Sequence, residues 1–374
     1  MISLFDREMM ARALMLAERG RYTAMPNPVV GCVITLNESI IGEGWHQRAG
    51  EAHAEINALA AIEGSASGAT AYVSLEPCNH QGRTGPCSQA LIDAGIARVV
   101  YAMEDPNPAV GGAGIERLEN AGIAVSGPLM ESSAELLNAG FIKRMVRKMP
   151  YVRVKSAMSV DGRTAMASGD SKWVTGPTAR ADVQKLRARS CAVITGIGSI
   201  LFDDPNMTVR ETELPLDGAA DVAARQPLRV VVDSQWRTPL TARLFNSEGA
   251  VLIVGVEPNA EKQAALEAKG AQTLVLKGPD GRVHLRKLLQ YLAQDKLCNE
   301  VLIEAGHQLS GSVVRQGLMD QMIVYMAPKL MGSKAMPLFD LQIDNMKSYL
   351  PLKISDIRQV GRDWRMVVEP DFDS

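Results

Sequence analysis

His53-Ala54-Glu55 and, one strand later, Pro77-Cys78-Asn79-His80-Gln81-Gly82-Arg83-Thr84-Gly85-Pro86-Cys87 are the stretch whose reading decides the fold. One imidazole and two thiols supply three ligands for a tetrahedral Zn²⁺ and leave a fourth position open to water. Glu55 stands two residues from the first ligand, near enough to move that water's protons. Deamination of an aminopyrimidine or a related base needs this set. An isolated His-x-Glu is common by chance, and cysteines are often small core residues. The proline ahead of Cys78 and the helix signals after each half favour the metal reading. Side chains two apart diverge on a regular helix, so His53 and Glu55 can face one ion only from a helix end. Cys87, behind Pro86, also stands at a predicted helix start, where a thiol gives up its proton more readily.

The cysteine spacing narrows the substrate. Thiols two residues apart are usual in nucleic-acid and nucleoside deaminases, whereas eight residues separate Cys78 from Cys87. That loop carries His80, Arg83 and Thr84, a polar and cationic set suited to a small phosphorylated substrate. Composition agrees: the 374 residues carry a net charge of −2, which makes no electrostatic case for nucleic acid. Five scattered cysteines (Cys32, Cys78, Cys87, Cys191, Cys298) argue against a disulfide scaffold and for a reducing compartment. The N-terminal residues lack the pattern of a signal peptide, and no apolar run reaches the roughly 18 residues of a membrane span. The expectation is a cytoplasmic protein with no membrane and no nucleic-acid partner.

Outward from the motif, periodicity predicts a helix over 6–19 stopped by Gly20, a rigid Met25-Pro26-Asn27-Pro28 loop, and a hairpin of strands 29–36 and 39–45 that delivers His46. A helix opens at His53, followed by strand 69–75, the Cys87 helix, strand 97–102, helix 113–121, strand 123–126 and a helix over 130–147. Asn27 reads equally as a turn residue or as an amide offered to a ligand. The cluster Lys143, Arg144, Arg147 and Lys148 reads as a solvated last helical turn rather than a phosphate site. A boundary near 148 divides the chain into domains 1–148 and 149–374.

The second half begins with a strand at Tyr151. Strands then follow near 191–195, 228–232, 250–255, 273–276 and 300–304, interleaved with helices 177–189, 259–268, 284–294 and 308–317. Strands 320–327, 352–360 and 363–369 close it, the last two as a hairpin at Gly361-Arg362. Alternating strands and helices define an α/β class with ligands in the loops after the strands. No G-x-G-x-x-G follows a strand, so the dinucleotide fingerprint is absent. Two glycine-bearing loops, 195–199 and 304–311, remain as backbone donors for a pyrophosphate. Segment 211–227 is polar and unpatterned, hence an expected mobile loop.

At this point the chain resembles the bifunctional riboflavin-biosynthesis deaminase/reductase family. That family's pattern reads H-A-E, then P-C-x-H-x-G-x-T-P-P-C; this sequence matches it except for Gly85 in place of the first proline of the final pair, a change that loosens the loop and spares the ligands. In the second half Lys155–Arg163, Ala167–Trp173, Asp203–Arg210 and Glu304–Gly306 match blocks of the family's reductase domain, which is similar to dihydrofolate reductase. The resemblance implies a cytidine-deaminase-like three-layer α/β/α domain, then a dihydrofolate-reductase-like α/β domain. It implies zinc on His53, Cys78 and Cys87, Glu55 as the proton shuttle, and Asn27, His46, His80 and Arg83 at the pyrimidine ribose-phosphate. It further implies NADPH at Ala157, Trp173, Ser199, Asp203, Ser234 and Gly306, His307, Gln308, Leu309, Ser310, Gly311 and Ser312. Substrate would meet Ser171, Arg187, Met207, Arg210 and Glu304. Arg187 and Arg210 are the sensible phosphate clamps, with Lys155 and Glu304 supplying a proton.

The activity so implied is zinc-dependent deamination of 2,5-diamino-6-ribosylamino-4(3H)-pyrimidinone 5′-phosphate. NADPH-dependent reduction of the ribosyl group to ribityl follows, giving 5-amino-6-ribitylaminouracil 5′-phosphate. The competing reading is a nucleic-acid or nucleotide base deaminase with a non-catalytic C-terminal binding domain. A third keeps the zinc purely structural, with Glu55 a surface carboxylate. Met-rich apolar surface in the second half makes a homo-oligomer an expectation.

Overall fold

Strand Gly31–Leu36 alternates its side chains between two buried faces, and that alternation builds the first unit. Cys32 and Ile34 point into a core shared with Ala54, Ala58, Leu91 and Leu118, which come from three helices. Val33 points the other way, to Met10, Ala13 and Leu14 of helix Leu4–Arg19 and to Ala134. A sheet with apolar residues on both faces must be covered on both, and the result is three layers. The computed structural model describes residues 2–79, 85–107 and 111–371. It divides into two compact units, Met1–Met149 and Pro150–Ser374.

The first unit's five-stranded sheet runs in the order Ser39–Trp45, Gly31–Leu36, Thr70–Val73, Arg98–Tyr101, Ala124–Ser126. The first three strands are antiparallel neighbours and the last three parallel ones. Ser3 caps the first helix through a capping box with Asp6. Gly20 ends that helix in a right-handed conformation, not the left-handed one its glycine suggests. A Cβ there would lie 2.5 Å from the His46 carbonyl oxygen, so Gly20 is needed for close approach. The predicted 130–147 helix is two helices, Glu131–Leu137 and Ala139–Arg147. Asn138 between them is buried and bonds the Val29 backbone twice, at 2.9 and 3.0 Å. Nor is the basic cluster wholly a solvated face: Arg144 donates to the Pro26 carbonyl at 3.2 Å.

The second unit carries nine strands, ordered Ala271–Val275, Val251–Gly255, Leu228–Val232, Ala192–Gly196, Glu300–Ile303, Tyr151–Ser159, Gln321–Ala327, Asp363–Pro370, Leu352–Val360. The first seven are mutually parallel and the last two antiparallel. Chain order reverses around Glu300–Ile303, which lies between Ala192–Gly196 and Tyr151–Ser159, and such a switch point opens a crevice at the strands' C-terminal ends. At the opposite ends, buried Glu300 bridges Arg153 and Arg189. Burial alone would raise its carboxyl, but the two guanidinium groups hold it down to about 2.

Helix Ile197–Asp203 and the strand pair Arg163–Ala165 with Met336–Pro337 were not legible in the pattern, nor were the helical turns Arg243–Asn246 and Met346–Ser348. Segment 211–227 is also more ordered than expected, with a helical turn at Glu211–Glu213 and helix Ala219–Ala223. Gln226 bonds the Val209 amide and carbonyl, both at 2.9 Å. Arg225 reaches the Ser190 carbonyl at 3.1 Å. These are long-range side-chain bonds, which local composition does not announce. Among the described residues no helix is long and apolar enough to cross a membrane.

Candidate active sites

His53 is the N-cap of helix Ala54–Ala60, with extended backbone (φ −73°, ψ 167°). That placement turns its ring off the helix axis, so that it and Glu55 converge from the helix end. Gly42 and Gly44 make this possible: a Cβ at Gly44 would lie 2.4 Å from the Ala58 amide, so only glycine lets the helix press on the hairpin. Cys87 is the first residue of helix Cys87–Asp93, with Pro86 as its N-cap. His53 Nδ1 lies 3.5 Å from Cys78 Sγ and 3.3 Å from Cys87 Sγ, and all three ligand atoms fall within 4.8 Å of one another. Tetrahedral zinc bonds would set such atoms roughly 3.5 to 3.8 Å apart. The residues present fit the ion.

The electrostatics suit a metal ligand set with a proton carrier beside it. The Cys87 thiol first, then His53 and the Cys87 amide, donate to Cys78 Sγ and hold its thiol well below the ordinary range against burial. Sharing with Cys78 and burial raise Cys87 correspondingly. Glu55 is buried, and that burial, reinforced by the Cys78 thiolate, pushes its carboxyl up to about 7. This is the range in which a carboxyl both accepts and returns a proton near neutrality. His46 packs edge-on to His53, ring centres 5.4 Å apart. Its Nδ1 faces the Ala52 carbonyl at 3.0 Å and its Nε2 meets Asn27 Nδ2 at 3.0 Å. Asn27 is therefore tied to the metal corner through His46. His80 and Arg83 lie outside the described residues.

Sequence reasoning passed over Glu76, the residue before Pro77-Cys78. It is buried, and its carboxylate accepts amides from Asp105 (3.1 Å), Gly112 (3.0 Å), Gly114 (2.9 Å) and Ile115 (3.3 Å). Four amides from residues 105–115 on one carboxylate fasten the chain just ahead of Cys78 to the start of helix Ala113–Asn120. Its only signal was a charged residue at the end of an apolar strand.

In the second unit a cavity of about 1050 Å³ opens at the switch point, beyond the usual span of a single-ligand pocket. Strand Tyr151–Ser159 delivers Lys155 and Ala157 to it, and the loop after Glu300–Ile303 delivers Glu304 and Gly306. Ser171, Trp173, Arg187, Ser199, Asp203, Met207, Arg210, Ser234, His307, Gln308, Leu309 and Ser312 also line it. Two expected contacts do not reach it. Ser310 is fully buried and bonds the Ala305 carbonyl at 3.2 Å, and Gly311 packs against the Asp340 backbone, 2.7 Å from where its Cβ would be. Both sit on the inner face of helix His307–Arg315, a direction set by the helical period. That helix starts at Gly306 with no side-chain cap, leaving amide donors for a pyrophosphate. The donor set and the space fit a dinucleotide.

One charge pairing departs from expectation. Arg187 donates to both oxygens of Glu304, at 2.6 and 2.9 Å, and to the Thr208 carbonyl at 3.0 Å. Three of its five N–H donors are so used, and one on each terminal nitrogen remains beside the cavity it lines. Burial disfavours the Glu304 anion, but Arg187 and then Lys155, 4.0 Å away, hold it below the usual carboxylate range. Lys155 is shifted downward by burial despite Glu304. Arg210 pairs with Glu213 on the surface. Ser171 donates to Asp203 at 3.1 Å, joining two residues expected to serve different ligands.

A zinc-type deaminase corner and a dinucleotide-type cleft, each on its own α/β unit, define a two-activity enzyme. The family profile described as cytidine and deoxycytidylate deaminase zinc-binding region matches residues 4–103, and that of the RibD C-terminal domain matches residues 150–366. The chain is 47% identical to the riboflavin biosynthesis protein RibD of Escherichia coli over 96% of this chain and 97% of that one. Acinetobacter baumannii RibD superposes with a TM-score of 0.91 at 44% identity, covering 98% of this chain and 99% of the other. A Thermotoga maritima diaminohydroxyphosphoribosylaminopyrimidine deaminase/5-amino-6-(5-phosphoribosylamino)uracil reductase superposes at 0.86 with 28% identity, covering 98% and 99%. The chain belongs to the RibD family, the bifunctional deaminase and reductase of riboflavin biosynthesis, with zinc and NADPH as its cofactors. A nucleic-acid deaminase with a passive second domain is not favoured.

Proposed function

We propose that residues 1–148 carry the deaminase and residues 149–374 the reductase, with the side chains below in the named roles. The convergence of His53 Nδ1 and two thiols within 4.8 Å, beside buried Glu55, carries the first half of this reading. Zinc held by His53, Cys78 and Cys87 would supply Lewis acidity to the attacking water. Glu55 takes a proton from that water and returns it to the departing amine, the double task its raised pKa suits. Asn27 and His46, fixed by their mutual bond and by Ala52, orient the pyrimidine. His80 and Arg83 are kept as its phosphate-side contacts.

For the second half, Lys155 and Glu304 face the cavity within 4.0 Å of each other and provide the proton as the sugar is reduced. Ala157, Trp173, Ser199, Asp203, Ser234, Gly306 to Leu309 and Ser312 line the cavity and would hold NADPH, which would supply the hydride. Arg187 holds Glu304 in place, and Arg210, with Ser171 and Met207, receives the substrate. The scattered cysteines, suited to a reducing compartment, support a cytoplasmic location, and a net charge of −2 offers nucleic acid no electrostatic attraction. A homo-oligomer is supported by exposed Ile354, Ile357 and Trp364 on the sheet's edge hairpin. The deciding experiment is metal analysis combined with incubation in the diaminopyrimidine ribotide and NADPH, reading ammonia and NADP⁺ together. Ammonia with no NADP⁺, or zinc without ammonia, sinks the corresponding half.

A further inference from the structure

The two thiols of the metal corner come from unlike places. Cys78 follows strand Thr70–Val73 by a short loop, whereas Cys87 opens helix Cys87–Asp93, and eight residues lie between them in the chain. A ligand pair with two residues between is spaced by one turn of backbone. A pair nine positions apart needs another device to fix its spacing. Part of that device is Ser88, which is fully buried. Its amide donates to the Cys78 carbonyl at 3.1 Å and its hydroxyl to Asn79 Oδ1 at 3.0 Å. The residue after one ligand is thus bonded to the residue after the other.

The rest comes from helix Ala113–Asn120, which carries none of the three ligands. Arg117 Nη1 donates to Asn79 Oδ1 at 3.2 Å, and Nη2 donates to Gln89 Oε1 on the first turn of the Cys87 helix. A guanidinium has donors only, so Arg117 turns the Asn79 carbonyl oxygen toward this junction. Its planar fork holds the two acceptors at a set distance, which a flexible ammonium does not. The helix is itself seated against the Cys78 segment. Glu76 accepts the Gly114 and Ile115 amides of its first turn. Gly114 packs so closely that a Cβ there would lie 1.9 Å from the Pro77 carbonyl oxygen. The base of Arg117 is therefore fixed relative to Cys78, and its tip reaches the helix that carries Cys87.

We infer that Arg117 is a positioning residue for the deaminase: by bridging Asn79 and Gln89 it holds the Cys78 and Cys87 thiols at the separation that one ion requires. This rests on the reading of His53, Cys78 and Cys87 as the zinc ligands given above. Arg117 acts through the neighbours of the ligands. Groups of this kind, which orient a ligand set from outside it, govern metal affinity or activity by factors of about 10 to 100.

The test is zinc transfer from the full-length enzyme to a chromogenic chelator, read beside the absorption spectrum of the Co²⁺-substituted protein. In Arg117→Met, zinc release should be about tenfold faster or more, and the Co²⁺–thiolate bands should shift. The kcat for ammonia release should fall with it, while KM for the diaminopyrimidine ribotide stays within about twofold. Arg117→Lys keeps the charge without the fork and should recover only part of the loss. Wild-type release and spectrum in Arg117→Met overturn the inference, even where the melting temperature falls, because Arg117 is then structural only. Should Arg117→Met fail to fold, Gln89→Leu decides. Removing that arm of the bridge should speed release about threefold, and an unchanged rate refutes the inference. A wild-type enzyme that holds no zinc defeats the ligand reading itself, and the inference with it.

Discussion

The metal corner and the reductase cleft solve the same problem, holding charged groups in a buried place, by opposite means. The corner draws its ligands from residues 53–87 and fastens them through helix starts at Ala54 and Cys87. The cleft gathers side chains from Lys155 to Ser312 across several parallel strands, and its central carboxylate is held by an arginine 117 positions away. Local sequence therefore carries the first site almost alone, whereas the second depends on sheet order. It follows that single substitutions at the corner should act on chemistry, and those in the cleft on chemistry and geometry together.

The largest effect should come from Glu55→Gln. Ammonia release should fall by about 10²–10⁴ while zinc content and NADPH oxidation with deaminated substrate remain. Retained deamination would return Glu55 to a structural role. Glu304→Gln comes next, with the reductase kcat down by on the order of 10²; it also leaves Arg187 short of a charge partner, so KM should rise as well. A change confined to KM would make Glu304 a binding group only. If Arg210→Ala left the KM for substrate unchanged, the phosphate role assigned to it would fail.

Stability differs between the units in the same way. Glu300→Gln breaks a buried pairing with Arg153 and Arg189 and should cost about 3–5 kcal/mol in the second unit's unfolding transition. Because the folded Glu300 carboxyl is held at about 2, below the ordinary 4.5, its contribution is present above 4.5 and lost as pH falls toward 2. Acid titration of wild type should show that loss and the variant should lack it; parallel curves would disprove the pairing's role. Asn138→Ala should have the smallest effect, about 1–2 kcal/mol in the first unit, since it removes two backbone bonds to Val29. Chemical denaturation checks it.

Much of the fold was legible because its elements carry full periods. The parallel strands of the second unit read as apolar runs of the right length, and helices such as Leu285–Gln294 as repeats of three and four. The break at Asn138 was not, because the residue is helix-compatible and its reason lies 109 positions away at Val29. Helix Ile197–Asp203 hid in a glycine-rich loop too short for a pattern. Ser310 and Gly311 were grouped with their neighbours, yet helical rotation turns them inward.

By itself the sequence pointed to zinc and marked His53, Cys78, Cys87 and Glu55 as the candidate set, because ligand type and helix-start signals are local. It also determined the succession of strands and helices, because burial imposes periods of two and 3.6. Only the tertiary structure decided that Arg187 pairs with Glu304, that Glu76 gathers amides from residues 105–115, and that Asp233 turns inward to Thr238. The physical reason is common to all three: a charge inside a protein must find its partner in space, and that partner is chosen by packing.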